Sequence, residues 1–162
     1  QLELNSKISA LQNTNVRFAK ANDQKIIENI AVKSFQNSRF HLDKNISNIK
    51  ANKIKKEWAG NYFNGNRGKW MIVIEHKSRV IGFLQLLKEN SKTMVIDLIA
   101  VRSKFRGNGF AKNMIYFAYF NCLKNINKIK VGTQISNLGS IDFYTKLGFR
   151  VVGSSYVLHM HQ

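Results

Sequence analysis

The chain of 162 residues contains no proline, a single cysteine, and only nine acidic residues against 26 basic ones. Each shortage excludes something. One thiol, Cys122, cannot close an intrachain disulfide. Its place in an apolar helical stretch makes it a packing residue, and the chain is expected to work in a reducing cytoplasm. No apolar run approaches the roughly 20 residues that cross a bilayer, so no membrane span is expected. The opening Gln1-Leu2-Glu3-Leu4-Asn5 has neither an initiating Met nor a basic-then-apolar leader, and the chain is expected to start inside a longer protein. The familiar phosphate signatures are missing too: there is no G-x-G-x-x-G, and no glycine loop ends in Gly-Lys-Ser/Thr. No metal site is expected.

The scarcity of acid leaves a formal net charge of +17. Such a surplus draws a protein toward polyanions, whether nucleic acid, acidic membranes or phosphorylated small molecules. The lysines are scattered, however, and no RNP, zinc-finger or KH signature accompanies them, so nucleic acid is the minor reading. Their abundance beside Asn and Ile also reads as coding bias in an AT-rich genome. A hydrophobic content of 44% with 11% aromatic residues indicates a globular chain, and the length suits one domain. Residues 1–15 read as a polar arm and residues 16–162 as that domain.

The stretch that organises the remainder is Met94 to Ala111, MVIDLIAVRSKFRGNGFA. An apolar, β-branched run through Ile99, Ala100 and Val101 predicts a buried strand. A basic loop follows, then Arg106-Gly107-Asn108-Gly109-Phe110-Ala111, where a helical segment over 110–123 begins. Strand, glycine turn and helix together make an anion cradle, because inward N–H groups and the helix N-terminus converge there.

Before this stretch, 16–19 predicts a short strand, and Asn22 or Asp23 caps a helix carrying Ile26, Ile27, Ile30, Ala31 and Phe35 on one face. A second helix is predicted over 44–63, with Ile46, Ile49, Ile54, Trp58, Tyr62 and Phe63 inward and Lys50, Lys53, Lys55 and Lys56 toward solvent. Strands at 70–75 and 80–88 form a hairpin, in which Gly82 marks a bulge or a close backbone approach. After the central helix come a strand at 128–134, a short helix at 137–147 ended by Gly148, and last strands over 149–159. The order β-α-α-β-β-β-α-β-α-β-β predicts an α/β domain with a mixed, mostly antiparallel sheet and helices on both faces.

The pattern Arg106-x-x-Gly109-x-Ala111 resembles the R/Q-x-x-G-x-G/A signature of the GNAT N-acetyltransferases. A second block, from Asn137 through Ser140 and Tyr144 to Gly148-Phe149, resembles the N-x-x-(A/S)-x-x-x-Y-x-x-x-G-F segment of the same family. The likeness covers residues 16–160 and implies the GNAT fold with acetyl-CoA as cofactor. It implies that Ile99, Ala100, Val101, Arg106, Gly107, Asn108, Gly109, Phe110, Ala111 and Asn137 contact acetyl-CoA, with Tyr144 as the acid that protonates the departing thiolate. Ser103 stands where the family often has proline. Asp97 is a candidate general base, ahead of His41 and His76; its other reading is a surface carboxylate paired with a lysine.

The segments at 35–40 and 131–137 and the terminal Ser154-Ser155-Tyr156 resemble the bacterial acyltransferases that acetylate nucleotide-linked 4-amino-4,6-dideoxy sugars. That likeness implies a small-molecule amine acceptor bearing a diphosphate, with Arg39, Phe35 and Gln134 at its site. The alternatives are acetylation of a protein α-amine, as on ribosomal proteins, and a non-catalytic acyl-CoA-binding member. A homodimer is left open.

Overall fold

The computed structural model describes residues 15–36, 38–122, 124–157 and 160. The polar arm lies outside these residues except for Asn15, which opens the first strand. Five strands form one sheet in sequence order: β1 (Asn15–Phe18), β2 (Trp70–His76), β3 (Arg79–Lys88), β4 (Thr93–Val101) and β5 (Lys128–Val131). The first three pairings are antiparallel and β4 pairs β5 in parallel. A parallel neighbour requires a crossover, and helix α4 (Phe110–Cys122) supplies it. The remaining helices are α1 (Gln24–Ser34), α2 (Arg39–Leu42), α3 (Asn48–Gly60) and α5 (Leu138–Lys146). Among the described residues no helix is long and apolar enough to cross a membrane.

The strands are covered on both faces, which is why they read as near-continuous apolar runs. Ile72, Ile74, Leu84 and Leu86 face α4 and pack with Met114, Ile115 and Ala118. Met71, Val73 and Phe83 face the other way, onto Ile27, Ile30 and Ala31 of α1 and Ala59 of α3. The β2–β3 hairpin closes with Lys77 and Ser78 at φ 49° and 59°, so both central residues are left-handed, as a two-residue turn matched to strand twist requires. Arg17 in β1 donates to Asp23 at 2.7 Å and also to Glu75 of β2. It thereby ties the edge strand and the start of α1 to the sheet. Asp23 opens α1, yet its carboxylate serves Arg17 and the Lys20 amide rather than its own helix.

Three expectations need correction. The last strands are not formed in the described part of 149–159: Val151, Val152 and Tyr156 are exposed and carry no ladder. The predicted helix over 44–63 is α3 alone, with α2 as a separate turn before it, and Ile49 points outward at 82% exposure. Lys55, expected in solvent, is buried at 8% exposure.

β4 holds the feature that shapes everything downstream. Leu98 pairs with Gln85 and Ile96 with Leu86, so Asp97 has no partner on β3 and is the extra residue of a β-bulge. The insertion reverses the alternation. Met94 and Ile96 face α4 before it, and Ile99 and Val101 face the same side after it, while Leu98 and Ala100 pack toward α1. Pairing to β5 runs only from Thr93 to Ile96. From Asp97 onward the β5-side edge of β4 is unladdered among the described residues.

Gly82 fits this region by close approach, since a Cβ there would lie 2.8 Å from the Ala100 carbonyl oxygen and 3.1 Å from Ile74 Cγ2. Because the nearer obstacle is backbone of β4, it cannot swing aside. Gly82→Ala should therefore cost about 1–3 kcal/mol through overpacking. Denaturant titration should show a lower midpoint with an unchanged slope; an unshifted midpoint would mean that β3 and β4 separate freely at this point.

Candidate active site

The site has two walls that meet at the bulge. On one side, the 102–109 loop runs from the end of β4 into α4. Arg106 Nε donates to the Val101 carbonyl at 2.9 Å, and Asn108 Nδ2 donates to the carbonyls of Phe105 and Arg106 at 3.2 and 3.1 Å. These bonds hold the loop in shape from within. Gly107 and Gly109 have φ of 80° and 77°, left-handed values that a side chain resists, and nothing lies within 4 Å of where either Cβ would be. The first α4 bond runs from the Asn113 amide to the Gly109 carbonyl at 3.0 Å. The N–H groups of Phe110, Ala111 and Lys112 thus have no acceptor within the helix, and the macrodipole adds to them. Phe110 and Phe105 anchor the loop against the His76 ring at 6.2 and 5.5 Å.

Tyr144 of α5 is buried in the α4-side core with Val101, Phe110, Ala111 and Val131 around or against it. Its ring packs on Phe143 and Phe149 at 5.1 and 5.4 Å. Burial pushes its hydroxyl above the ordinary tyrosine value, so the proton stays on across working pH. Asn137 caps α5, its side chain accepting from the Ser140 amide at 3.2 Å. Gln134 stands beside it on the β5 side, where its carbonyl accepts from the Asn137 amide at 2.9 Å.

The other wall is built on Asp97. Trp58 Nε1 donates to its carboxylate at 3.0 Å, Arg67 donates twice at 2.7 Å, and Gln85 Nε2 donates at 3.0 Å. Three of these donors converge on Oδ2, and the second Arg67 N–H closes a two-pronged ion pair on Oδ1. Asp97, the candidate base, therefore sits here as a bracket that orients α3, the loop after it and β3 together. Its hydrogen bonds raise the Arg67 guanidinium above its usual range despite partial burial. The buried Gln85 amide oxygen has no donor among the described residues.

Trp58 carries the bracket outward. The Lys55 ammonium lies 4.3 Å from its ring centroid, 5.3 Å from that of Phe35 and 5.4 Å from that of Phe40, and Arg67 stacks on the same Trp58 ring at 4.7 Å. Arg39 begins α2, exposed, with its guanidinium over Phe40 at 4.8 Å. Burial, and then the charge of Arg39, push the Lys55 amine down to about 8. His41 is engaged at both ring nitrogens, with Ser38 Oγ at 2.8 Å and Asn52 Oδ1 at 3.1 Å.

The structure thus gathers Phe35 and Arg39 with Asp97 on one wall, and the glycine loop, Val101 and Tyr144 on the other. Lys55, Arg67 and Gln85 belong to the site although they were not singled out from sequence. Lys55 had a signal: Ala51 and Ala59 bracket it at four-residue spacing on the buried stripe of α3. Arg67, in a glycine-rich turn, had none.

Comparison with known proteins shows the family and the fold. The model of the acetyltransferase (GNAT) family matches residues 26–149. The spore coat polysaccharide biosynthesis protein SpsD of Bacillus subtilis is 33% identical over 147 residues, 85% of this chain. The chain spans 47% of that relative's length. The PaiA N-acetyltransferase of Thermoplasma acidophilum, solved in complex with coenzyme A, superposes with a TM-score of 0.74 at 17% identity, over 88% of this chain and 92% of that one. A ribosomal-protein-alanine N-acetyltransferase of Brucella melitensis gives 0.63 at 14% identity, over 91% and 99%. At such identities these two likenesses establish the fold.

Asp97→Ala should leave the Trp58, Gln85 and Arg67 donors without their acceptor. The cost should be about 2–4 kcal/mol, below the full penalty for a broken buried pair because Arg67 is partly solvated. Equilibrium urea unfolding measures it, and a loss under about 0.5 kcal/mol, the range of ordinary surface changes, would show that the bracket holds nothing together.

Proposed function

The chain belongs to the acetyltransferase (GNAT) family, and from that premise we propose that it moves an acetyl group from acetyl-CoA to the primary amine of a nucleotide-linked amino sugar. The observation that carries the transfer itself is the parting of β4 from β5 at Asp97, with the glycine loop and the α4 N-terminus at its mouth. The N–H groups of 107–112 fit a pyrophosphate, and open space at Gly107 and Gly109 lets one approach the backbone. The released edge from Leu98 to Val101 offers unpaired backbone groups to an amide-bearing arm, which explains why only apolar side chains stand there. Asn137 flanks this opening from the β5 side. Acetyl-CoA supplies an acyl group already activated as a thioester.

The protein's part is to orient two partners and manage protons. Tyr144 is protonated and makes no side-chain hydrogen bond among the described residues, so its proton is available to a departing sulfur. In water a thiolate, whose thiol has a pKa of about 8.5, is a weaker base than a phenolate. Burial raises the Tyr144 pKa but also disfavours a bare thiolate beside it, so the two effects of desolvation offset.

The acceptor class is supported by the relation to SpsD, a polysaccharide biosynthesis protein, and by the α2–α3 wall. The aromatic cluster of Phe35, Phe40 and Trp58 walls the acceptor side, and exposed Arg39 with the general cationic surplus suits a diphosphate.

Two experiments bear on these roles. Tyr144→Phe keeps the ring and removes the donor, so turnover should fall about 10²–10⁴-fold while acetyl-CoA affinity holds; unchanged turnover, measured where chemistry limits the rate, would make Tyr144 a packing residue. An acceptor panel of nucleotide-linked 4-amino sugars, free amino sugars and peptides with free N-termini decides the substrate class. The nucleotide-linked sugars should be turned over, and Arg39→Ala should raise their KM by about 10–150-fold, the equivalent of 1.5–3 kcal/mol for hydrogen bonds to a charged group. Turnover of peptides alone would replace this substrate with a protein α-amine.

A further inference from the structure

Acetyl transfer to an amine needs a group that takes a proton, because an alkyl amine at neutral pH is an ammonium with no lone pair to attack. Asp97 is the only carboxylate at the bulge among the described residues, and it is buried in an ion pair with Arg67 while Trp58 and Gln85 also donate to it. One step outward along Trp58 lies a different group. The Lys55 nitrogen sits in a box of three aromatic rings and makes no hydrogen bond or ion pair among the described residues. A buried amine with three ring faces and no acceptor is an unusual thing to keep in a helix that otherwise sends its lysines to solvent. We propose that the Lys55 amine is the base that removes the proton from the acceptor's ammonium, while Asp97 stays committed to Arg67, Trp58 and Gln85. The inference rests on the acetyl-transfer reading above.

Position supports it. Trp58 both touches Lys55 and donates to Asp97, so the amine is held one side chain from the residue at which β4 opens. The charged groups that act on it are Arg39 from α2, Arg67 from the loop after α3 and Asp97 from β4; Phe35, the cap of α1, contributes a ring. Arg39 and Arg67 repel a second cation, Asp97 attracts it, and burial is the largest influence and opposes the charge. The ring faces work the other way by cation–π attraction. The balance leaves an amine that is neutral for part of the time near pH 8 and charged after it has taken a proton, which a general base requires.

The step balances as follows. The acceptor ammonium loses one proton to Lys55. The freed lone pair forms the C–N bond to the acetyl carbon as the C–S bond breaks. Sulfur takes a proton from Tyr144, and the second proton leaving nitrogen restores the Tyr144 hydroxyl. Lys55 then returns its proton to solvent, so the net release is one proton per turnover.

The test separates base from mere cation. Lys55→Arg keeps a positive charge over the three rings but cannot deprotonate. At saturating nucleotide-linked 4-amino sugar its kcat should fall about 10²–10⁴-fold with the KM for acetyl-CoA unchanged, and the rise of kcat through about pH 8 expected of the parent should be absent. A readout independent of turnover is the titration of ¹⁵N-labelled lysine side chains in the whole chain. One resonance, absent from Lys55→Arg, should titrate near 8 and not near the ordinary 10.4. Lys55→Met tests the box without charge, and the Arg variant keeps the question answerable should Met unfold it. A Lys55→Arg enzyme with parental kcat, or a Lys55 resonance titrating with the surface lysines, would overturn the assignment and leave the acetyl-transfer reading intact. A parent that acetylates no amine in the panel would overturn both.

Discussion

One inserted residue governs the molecule. Asp97 has no partner on β3, and its presence in β4 does three things at once. It reverses the inward–outward alternation, so that Ile99 and Val101 continue the core face begun by Met94 and Ile96. It parts β4 from β5, since a bulged strand bends and twists away from a straight neighbour. It also aims a carboxylate toward α3, where Trp58, Arg67 and Gln85 converge on it. Without the bracket the bulge would hold a buried carboxylate with no donors. With the bracket in place, it is the corner of a cleft.

The cleft divides labour by physical type. The α4 wall offers backbone: glycine-permitted turns, first-turn amides and a released strand edge, none of which depends on side-chain charge. The α2–α3 wall offers side chains, namely three aromatic rings and the cations Lys55, Arg39 and Arg67. The few acids are committed elsewhere: Asp23 and Glu75 to Arg17, Glu28 to Lys56, Glu89 to Lys130 and Asp142 to Lys146. The cationic excess therefore faces outward with little internal compensation, which favours anionic partners by long-range attraction that salt would weaken.

Much of this was legible in the residues. The apolar run of β4, the glycine turn, the 110–122 helix and the Asn137-to-Phe149 block each announce themselves through period, turn chemistry or motif. Gly82 announced a close approach and has one. The misses are of two kinds. The tail over 149–157 has strand-like residues but forms no ladder in the described residues, because β-propensity reports fitness for a pleated surface and not the presence of a neighbour. Lys55 and Ile49 exchanged places because helix patterns assume that lysine seeks water. Here a lysine occupies the inner stripe between two alanines, where their small size leaves room for its stem and three rings receive its end.

The sequence by itself determined most of the strands and helices as far as residue 147, the likeness to the acetyltransferases, and the glycine loop that opens α4. Those follow from local periodicity and from glycine's freedom, properties written into neighbouring residues. Only the tertiary structure decided that Asp97 is a bulge residue held by Trp58, Arg67 and Gln85, that Arg67 reaches it across 30 positions, and that Lys55 is enclosed and not solvated. The donors to Asp97 come from distant positions that no local spacing encodes; Lys55 has its alanine neighbours as a hint, but the Phe35 and Phe40 rings reach it only through the fold. Hydrogen bonding and desolvation belong to the three-dimensional surroundings of a group.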